Sequence, residues 1–166
     1  MQLMNAEDSK TAEALRYTVL AVQRQGNRRL GDLLRRINLT PSQAEALEVL
    51  SEHGPMTTRA VGEYLLCESG SPSRILSALS EKGLSTRSQS DTDRRATLHT
   101  LTEEGKEKLE QARRYQNHFN SHFMSTLISQ FTTEEEVVAL TEKLAKLVSD
   151  PALSTALELR FPELSK

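Results

Sequence analysis

From Thr40 onward the chain is cut at short intervals by signals that start and stop helices, and this punctuation limits what it can fold into. Thr40-Pro41 is a strong start. A threonine hydroxyl can cap a helix, and proline suits the first helical position, where no amide donor is needed. Ala44, Leu47, Val49 and Leu50 supply the apolar face that follows. His53-Gly54-Pro55 stops it, with Gly54 expected in the left-handed conformation and proline just beyond. Met56-Thr57-Thr58 reads as a short extended bridge into a second helix over residues 58–66, with Ala60, Val61, Tyr64, Leu65 and Leu66 apolar. A third helix is expected over residues 70–82, because Pro72 is tolerated in a first turn. Ile75, Leu76 and Leu79 form its buried stripe, and Gly83 ends it.

The period then changes. Residues 84–88 and 96–101 read as two strands, separated by the polar run Gln89-Ser90-Asp91-Thr92-Asp93-Arg94-Arg95, too long for a two-residue turn. Long helices flank this centre. Over residues 10–37, Leu15, Val19, Val22, Leu30, Leu33, Leu34 and Ile37 recur at mixed three- and four-residue spacing, with five arginines from Arg24 to Arg36 on the polar face. Thr102-Glu103-Glu104-Gly105 opens a helix over residues 103–130. Thr132 or Thr133 opens another that ends near Ser149, and Asp150-Pro151 breaks it. Leu153, Ala156, Leu157, Leu159 and Phe161 suffice for one last short helix before Pro162.

Three short helices followed by a β-hairpin make a winged helix-turn-helix, mainly α with a small β-hairpin wing (α+β). The long terminal helices exceed what so small a lobe can cover. They read as a dimerisation module, which divides the chain into an N-terminal dimerisation helix (1–37), a DNA-binding lobe (38–102) and C-terminal dimerisation helices (103–166). Composition agrees: 37% of the 166 residues are hydrophobic, a low share for a lone compact monomer, and burial against a second copy is a common remedy.

The formal net charge of −2 excludes a bulk polycation, so any hold on nucleic acid must come from local basic patches. The helix that opens at residues 70–72 is led by small polar groups. Ser71, Ser73 and Ser77 bring hydroxyls that donate and accept without bulk, suited to bases or phosphates. Arg74 can grip a guanine or a phosphate with two hydrogen bonds. The same serines also suit a solvated helix face, and Arg74 a surface ion pair. In the hairpin, Arg94 and Arg95 suit insertion into a minor groove. Asp93 reads as a wing-shaping residue that holds Arg95 by a bidentate pair. Lys82 and Arg87 are expected to add phosphate contacts.

The runs Leu39-Thr40-Pro41-Ser42-Gln43, Arg74 to Leu84 with its Lys82-Gly83-Leu84 turn, Asp91-Thr92-Asp93-Arg94-Arg95-Ala96, and Leu101-Thr102-Glu103-Glu104-Gly105-Lys106 resemble the MarR (multiple antibiotic resistance regulator) family in order and spacing. The resemblance covers residues 10–148. It implies a homodimer on a palindromic operator in double-stranded DNA, usually a repressor released by a small-molecule effector or an oxidant. The chain departs from the pattern at Gly70-Ser71-Pro72, where members carry Ser or Thr with an apolar residue, and at Ser88-Gln89-Ser90, which lacks a basic residue. The missing basic wing tip and the acidic net charge motivate the competing reading, a winged-helix protein-interaction module without specific DNA binding.

The resemblance also nominates Arg16, Tyr17, His53 and Met56 as an effector pocket. Cys67, the one cysteine, is a redox candidate ahead of the third helix, although its apolar neighbours equally suit a small buried residue. A single cysteine allows no disulfide within the chain, and a reducing compartment fits best. His118 and His122 lie four apart on one helix face, half of a metal site at most, and no metal is expected. No cofactor is expected, and no catalytic set is assembled. The N-terminus MQLMNAEDSK has no apolar core of a signal peptide, and no stretch suits a membrane span. The expected location is cytoplasmic.

Overall fold

The structure, a computed structural model, describes residues 6–66, 71–90, 95–130 and 133–165. Helix α1 (Ala6–Arg35) begins earlier than the apolar pattern suggests, and a left-handed residue closes it. Asn38 has φ +59, and the Leu39 amide reaches back to the Leu34 carbonyl at 3.1 Å. Asparagine takes this conformation more readily than most residues. Helix α2 (Pro41–His53) starts with a capping box. The Thr40 hydroxyl accepts from the Gln43 amide, and the Gln43 side-chain oxygen accepts from the Thr40 amide, both at 3.2 Å.

At the end of α2 the structure corrects an expectation. Gly54 is extended, with φ −68 and ψ 158, not left-handed. A Cβ at position 54 would fall on the Leu50 carbonyl oxygen, so glycine is needed here for space rather than for positive φ.

Strand β1 (Met56–Thr57) leads into α3 (Thr58–Gly62), capped by the Thr57 hydroxyl on the Ala60 amide at 3.1 Å. Helix α3 is shorter than the apolar run 58–66. Leu66 gives its amide to the Glu45 carboxylate at 2.9 Å instead of extending the helix. Helix α4 (Pro72–Glu81) ends at Gly83, φ +71, with Leu84 bonded back to the Leu79 carbonyl at 2.9 Å. Strands β2 (Ser85–Gln89) and β3 (Thr97–Leu101) pair antiparallel, Arg87 opposite His99. Strand β1 adds to β3 with Met56 opposite His99, so the sheet order is β1-β3-β2 and the wing is tied to the lobe by a third strand.

Helix α5 (Glu103–Gln130) follows directly. Helix α6 (Glu134–Ala145) is capped by Thr133 and stops short of Ser149. Asp150 then caps α7 (Pro151–Arg160) by accepting from the Ala152 and Leu153 amides at 2.9 and 3.0 Å. A 3-10 turn (Pro162–Ser165) ends the described chain. The core joins Leu34, Leu47, Val61, Leu76, Leu79 and Leu109, from α1 to α5. Apolar side chains remain outside it: Leu15, Val19 and Val22 on α1, Phe123 and Ile128 on α5 and Val138 on α6 are exposed.

Four elements meet at one joint. The Thr102 hydroxyl donates to the Gly83 carbonyl at 2.7 Å and accepts from the Gly105 amide at 3.0 Å. The Thr102 amide donates to the Leu84 carbonyl at 3.2 Å. Gly105 is buried, and a Cβ there would collide with that same Leu84 carbonyl oxygen. Gly105→Ala is therefore expected to lower the free energy of unfolding by about 1–3 kcal/mol, the range for overpacked sites, as measured by urea denaturation. An unchanged midpoint would show that α5 can back away from the wing.

His99 is buried at the centre of the sheet. Its Nε2 lies 3.0 Å from the Thr58 hydroxyl, while Nδ1 has no hydrogen-bond partner. With the proton on Nε2, only a lone pair goes unmatched. Burial first, and the Arg87 charge second, hold the His99 pKa below the ordinary histidine value. The unfolded chain, with histidine near pH ~6.5, then binds the proton more readily than the folded one. Stability is expected to fall as pH drops below about 6.5 and to level off once pH passes the lowered folded value. Urea midpoints from pH 7 to pH 5 test this: the decline should be shallower in His99→Gln, and equal slopes would remove His99 as its source.

Candidate nucleic-acid interface

Helix α4 buries Ile75, Leu76 and Leu79, and this spacing turns Ser73 and Arg74 to the outside. Ser71 is the N-cap residue, but its hydroxyl makes no capping bond. It lies 3.0 Å from the Ser73 hydroxyl, so two exposed hydroxyls sit side by side at the start of the helix. Arg74 is exposed one position further on. Helix N-termini present amides and a partial positive charge, which favours an anion at this end.

The wing is braced against α4. Arg87, exposed on β2, donates from Nη2 to the Ser77 hydroxyl at 2.8 Å. Ser77 is thereby used as an acceptor, which leaves its own proton to donate elsewhere. Arg95 is exposed two residues ahead of β3. Asp93 and Arg94, and with them the wing-shaping pair, lie outside the described residues, as does Cys67.

Lys82 is engaged within the chain. Its ammonium donates to the Asn38 carbonyl at 2.6 Å and to the Gln43 side-chain oxygen at 2.9 Å. Partial burial, and then the nearby Lys108 charge, lower its pKa from the usual lysine value. Two of its three protons are thus committed to joining the end of α4 to the α1–α2 turn.

The nominated effector pocket is not assembled within the chain. Arg16 lies over the Tyr17 ring at 4.4 Å, and Tyr17 is exposed on α1. His53 packs its ring on Tyr64 at 4.7 Å. Met56 belongs to the core. His118 and His122 are exposed on α5, and no cluster of three metal-binding side chains occurs among the described residues.

Several positioning residues escaped the sequence reading. Arg113 on α5 donates to Glu48 on α2 at 3.0 and 2.7 Å and to Glu110 at 2.7 Å. These hydrogen bonds, Glu48 foremost, raise its pKa. Arg160 on α7 pairs with the buried Glu45 on α2 at 3.4 Å. The Thr40-x-x-Gln43 spacing was available as a capping-box signal. Pairs as distant in sequence as Glu48–Arg113 and Glu45–Arg160 leave no local signal. No helix among the described residues is long and apolar enough to cross a membrane.

Comparison with known proteins agrees with this geometry. Residues 39–105 match the family of winged helix DNA-binding domains. The chain is 34% identical over 96 residues to the organic hydroperoxide resistance transcriptional regulator of Bacillus subtilis, covering 58% of this chain and 65% of that protein, just under two thirds of its length. It is 30% identical over 123 residues to an HTH-type transcriptional regulator of Bacillus cereus, covering 74% of this chain and 79% of the relative. Its fold is similar to that of a C80S mutant of MarR from E. coli in complex with operator DNA, with a TM-score of 0.70 at 24% identity over 81% of this chain and 94% of the other. The relatives carry the names of transcription regulators, and the chain belongs to the HTH-type transcriptional regulators, with a winged helix DNA-binding domain over residues 39–105 and a fold similar to that of MarR.

Proposed function

We propose that this protein is a homodimeric, sequence-specific regulator of double-stranded DNA that represses a palindromic operator and releases it when a small-molecule effector or an oxidant acts. The observation that carries this reading is the face made by Ser71, Ser73 and Arg74 at the start of α4, with Arg87 braced on Ser77 beside it. Small hydroxyls let the helix approach base edges closely, and Arg74 supplies the bidentate grip. Arg95 extends the contact from the wing toward the neighbouring minor groove. The exposed apolar residues of α1, α5 and α6 fit a second copy, which would place two α4 helices in successive major grooves, about 34–36 Å apart. The relatives' regulatory names favour this reading over a protein-interaction module.

Anisotropy titration of a duplex selected from a random pool tests it. Arg74→Ala and Arg95→Ala are expected to weaken binding while the protein stays dimeric by light scattering. For each phosphate that a variant no longer neutralises, the salt slope should become shallower by about 0.9. If neither variant changes affinity or slope, α4 and the wing are not the DNA-reading surface. Release is tested in parallel: an organic hydroperoxide that frees DNA from the wild type but not from Cys67→Ser identifies the thiol as the sensor. Release that survives the substitution assigns control to a non-covalent effector.

A further inference from the structure

We infer that Arg160, on the C-terminal helix, is a positioning residue for DNA recognition that acts through Glu45. This inference rests on the DNA-binding reading above. Glu45 sits in the middle of α2, almost fully buried, and carries a carboxylate into the lobe. Among the described residues, its Oε1 meets the Leu66 amide at 2.9 Å and the Arg160 guanidinium at 3.4 Å. The first contact ends the turn after α3 and fixes the chain five residues before the N-cap of α4. The second comes from the far end of the sequence. Glu45 thus joins the helix that supports the lobe, the segment that delivers the reading helix, and the last helix of the chain.

Two further observations make this junction consequential. Helix α3 abuts the first turn of α4 without slack: a Cβ at Gly62 would lie 2.9 Å from Pro72 Cγ. A shift of the segment behind α3 is therefore passed to the start of α4. Helix α7, in turn, is not tightly packed on α2. A cavity of about 210 Å³ remains between them, bordered by Glu48, Val49, His53, Tyr64, Leu159 and Phe161. The half-buried Arg160 is thus the polar anchor of α7 on this face.

Removing Arg160 takes a counter-charge away from a buried carboxylate, a costly change that relaxes when the group turns toward water. The Leu66 amide then loses its acceptor, and the start of α4 loses its fixed position. A glutamine at position 45 behaves differently. Its amide oxygen still accepts from Leu66, and it needs no cation.

The test is operator affinity, read with a duplex that wild-type protein selects from a random pool. Arg160→Gln is expected to raise Kd about tenfold, the scale of one charge-assisted contact, with the dimer and helix content intact. The double variant Glu45→Gln/Arg160→Gln should recover most of that affinity, and Arg160→Lys should retain most of it. Hydrogen exchange at the Leu66 amide should quicken in Arg160→Gln and slow again in the double variant. A lower melting temperature with unchanged Kd would reduce Arg160 to a stabilising role and overturn the inference, as would a double variant no better than Arg160→Gln. Should Arg160→Gln fail to fold, Arg160→Lys with wild-type exchange at Leu66 but a tenfold weaker Kd would equally overturn it. Failure of the wild type to select any duplex would instead overturn the DNA-binding reading itself.

Discussion

The joint at Gly83 and Leu84 governs the placement of everything that could touch DNA. Helix α4 ends there, β2 begins there, and β3 returns there to become α5 through Thr102. The Gly83 carbonyl receives the Thr102 hydroxyl, the Leu84 carbonyl receives the Thr102 amide, and Gly105 lets α5 lie against that carbonyl. Helix α4, the wing and the long helix α5 are thus fixed to one another within a few residues. Any change in the direction of α5 must move α4 and the wing together or break this joint. A regulator that alters the spacing of two DNA-binding lobes needs a rigid link of this kind between its long helices and its reading elements.

Charge is used sparingly and locally. With acids slightly outnumbering bases in the chain, cations are divided between bracing and display. Lys82 and Arg113 hold helices together through Asn38, Gln43, Glu48 and Glu110. Arg74 stays exposed, and Arg87 reaches across from the wing to Ser77 without being buried. A phosphate near Arg87 would meet a guanidinium already oriented by a serine, so less side-chain freedom would remain to be given up on binding.

The fold was legible where local chemistry decides. Thr40-Pro41 and Thr133 start helices because capping and proline geometry act within a few residues, and Asp150-Pro151, read as a break, also caps the helix that follows. The two short runs 84–88 and 96–101 around a polar stretch announced the hairpin. Legibility failed where space or distant partners decide. Gly54 is a glycine because Leu50 leaves no room, and its backbone is extended rather than in the left-handed conformation that a helix-ending glycine usually signals. Helix α3 stops at Gly62 in a turn through Glu63 and Tyr64, and the Leu66 amide goes to Glu45 on another helix. Lys82 reads as one more basic residue beside a reading helix, yet its partners lie some forty positions back in the chain. Of the nominated effector residues, Tyr17 lies exposed on α1, His53 beside Tyr64 and Met56 in the core.

The single chain remains physically incomplete along its long helices. Leu15, Val19 and Val22 of α1 face a groove of about 480 Å³ whose other wall is Phe123 of α5 with Val137 and Leu140 of α6. The groove is almost wholly apolar, and its residues lie away from the core that Leu34 and Leu109 build nearer the lobe. Burying such side chains is worth about 25 cal/mol per Å² of apolar surface removed from water. The face proposed to read DNA has the opposite character, with hydroxyls and guanidinium groups that bind water well. The two surfaces are therefore suited to different partners: the apolar helices to a like surface of a second copy, and α4 with the wing to a polyanion. Because Thr102 and Gly105 hold α5 against the base of the wing, pairing of the long helices would also set the distance between two reading helices. Dimer geometry and operator spacing then become one structural quantity.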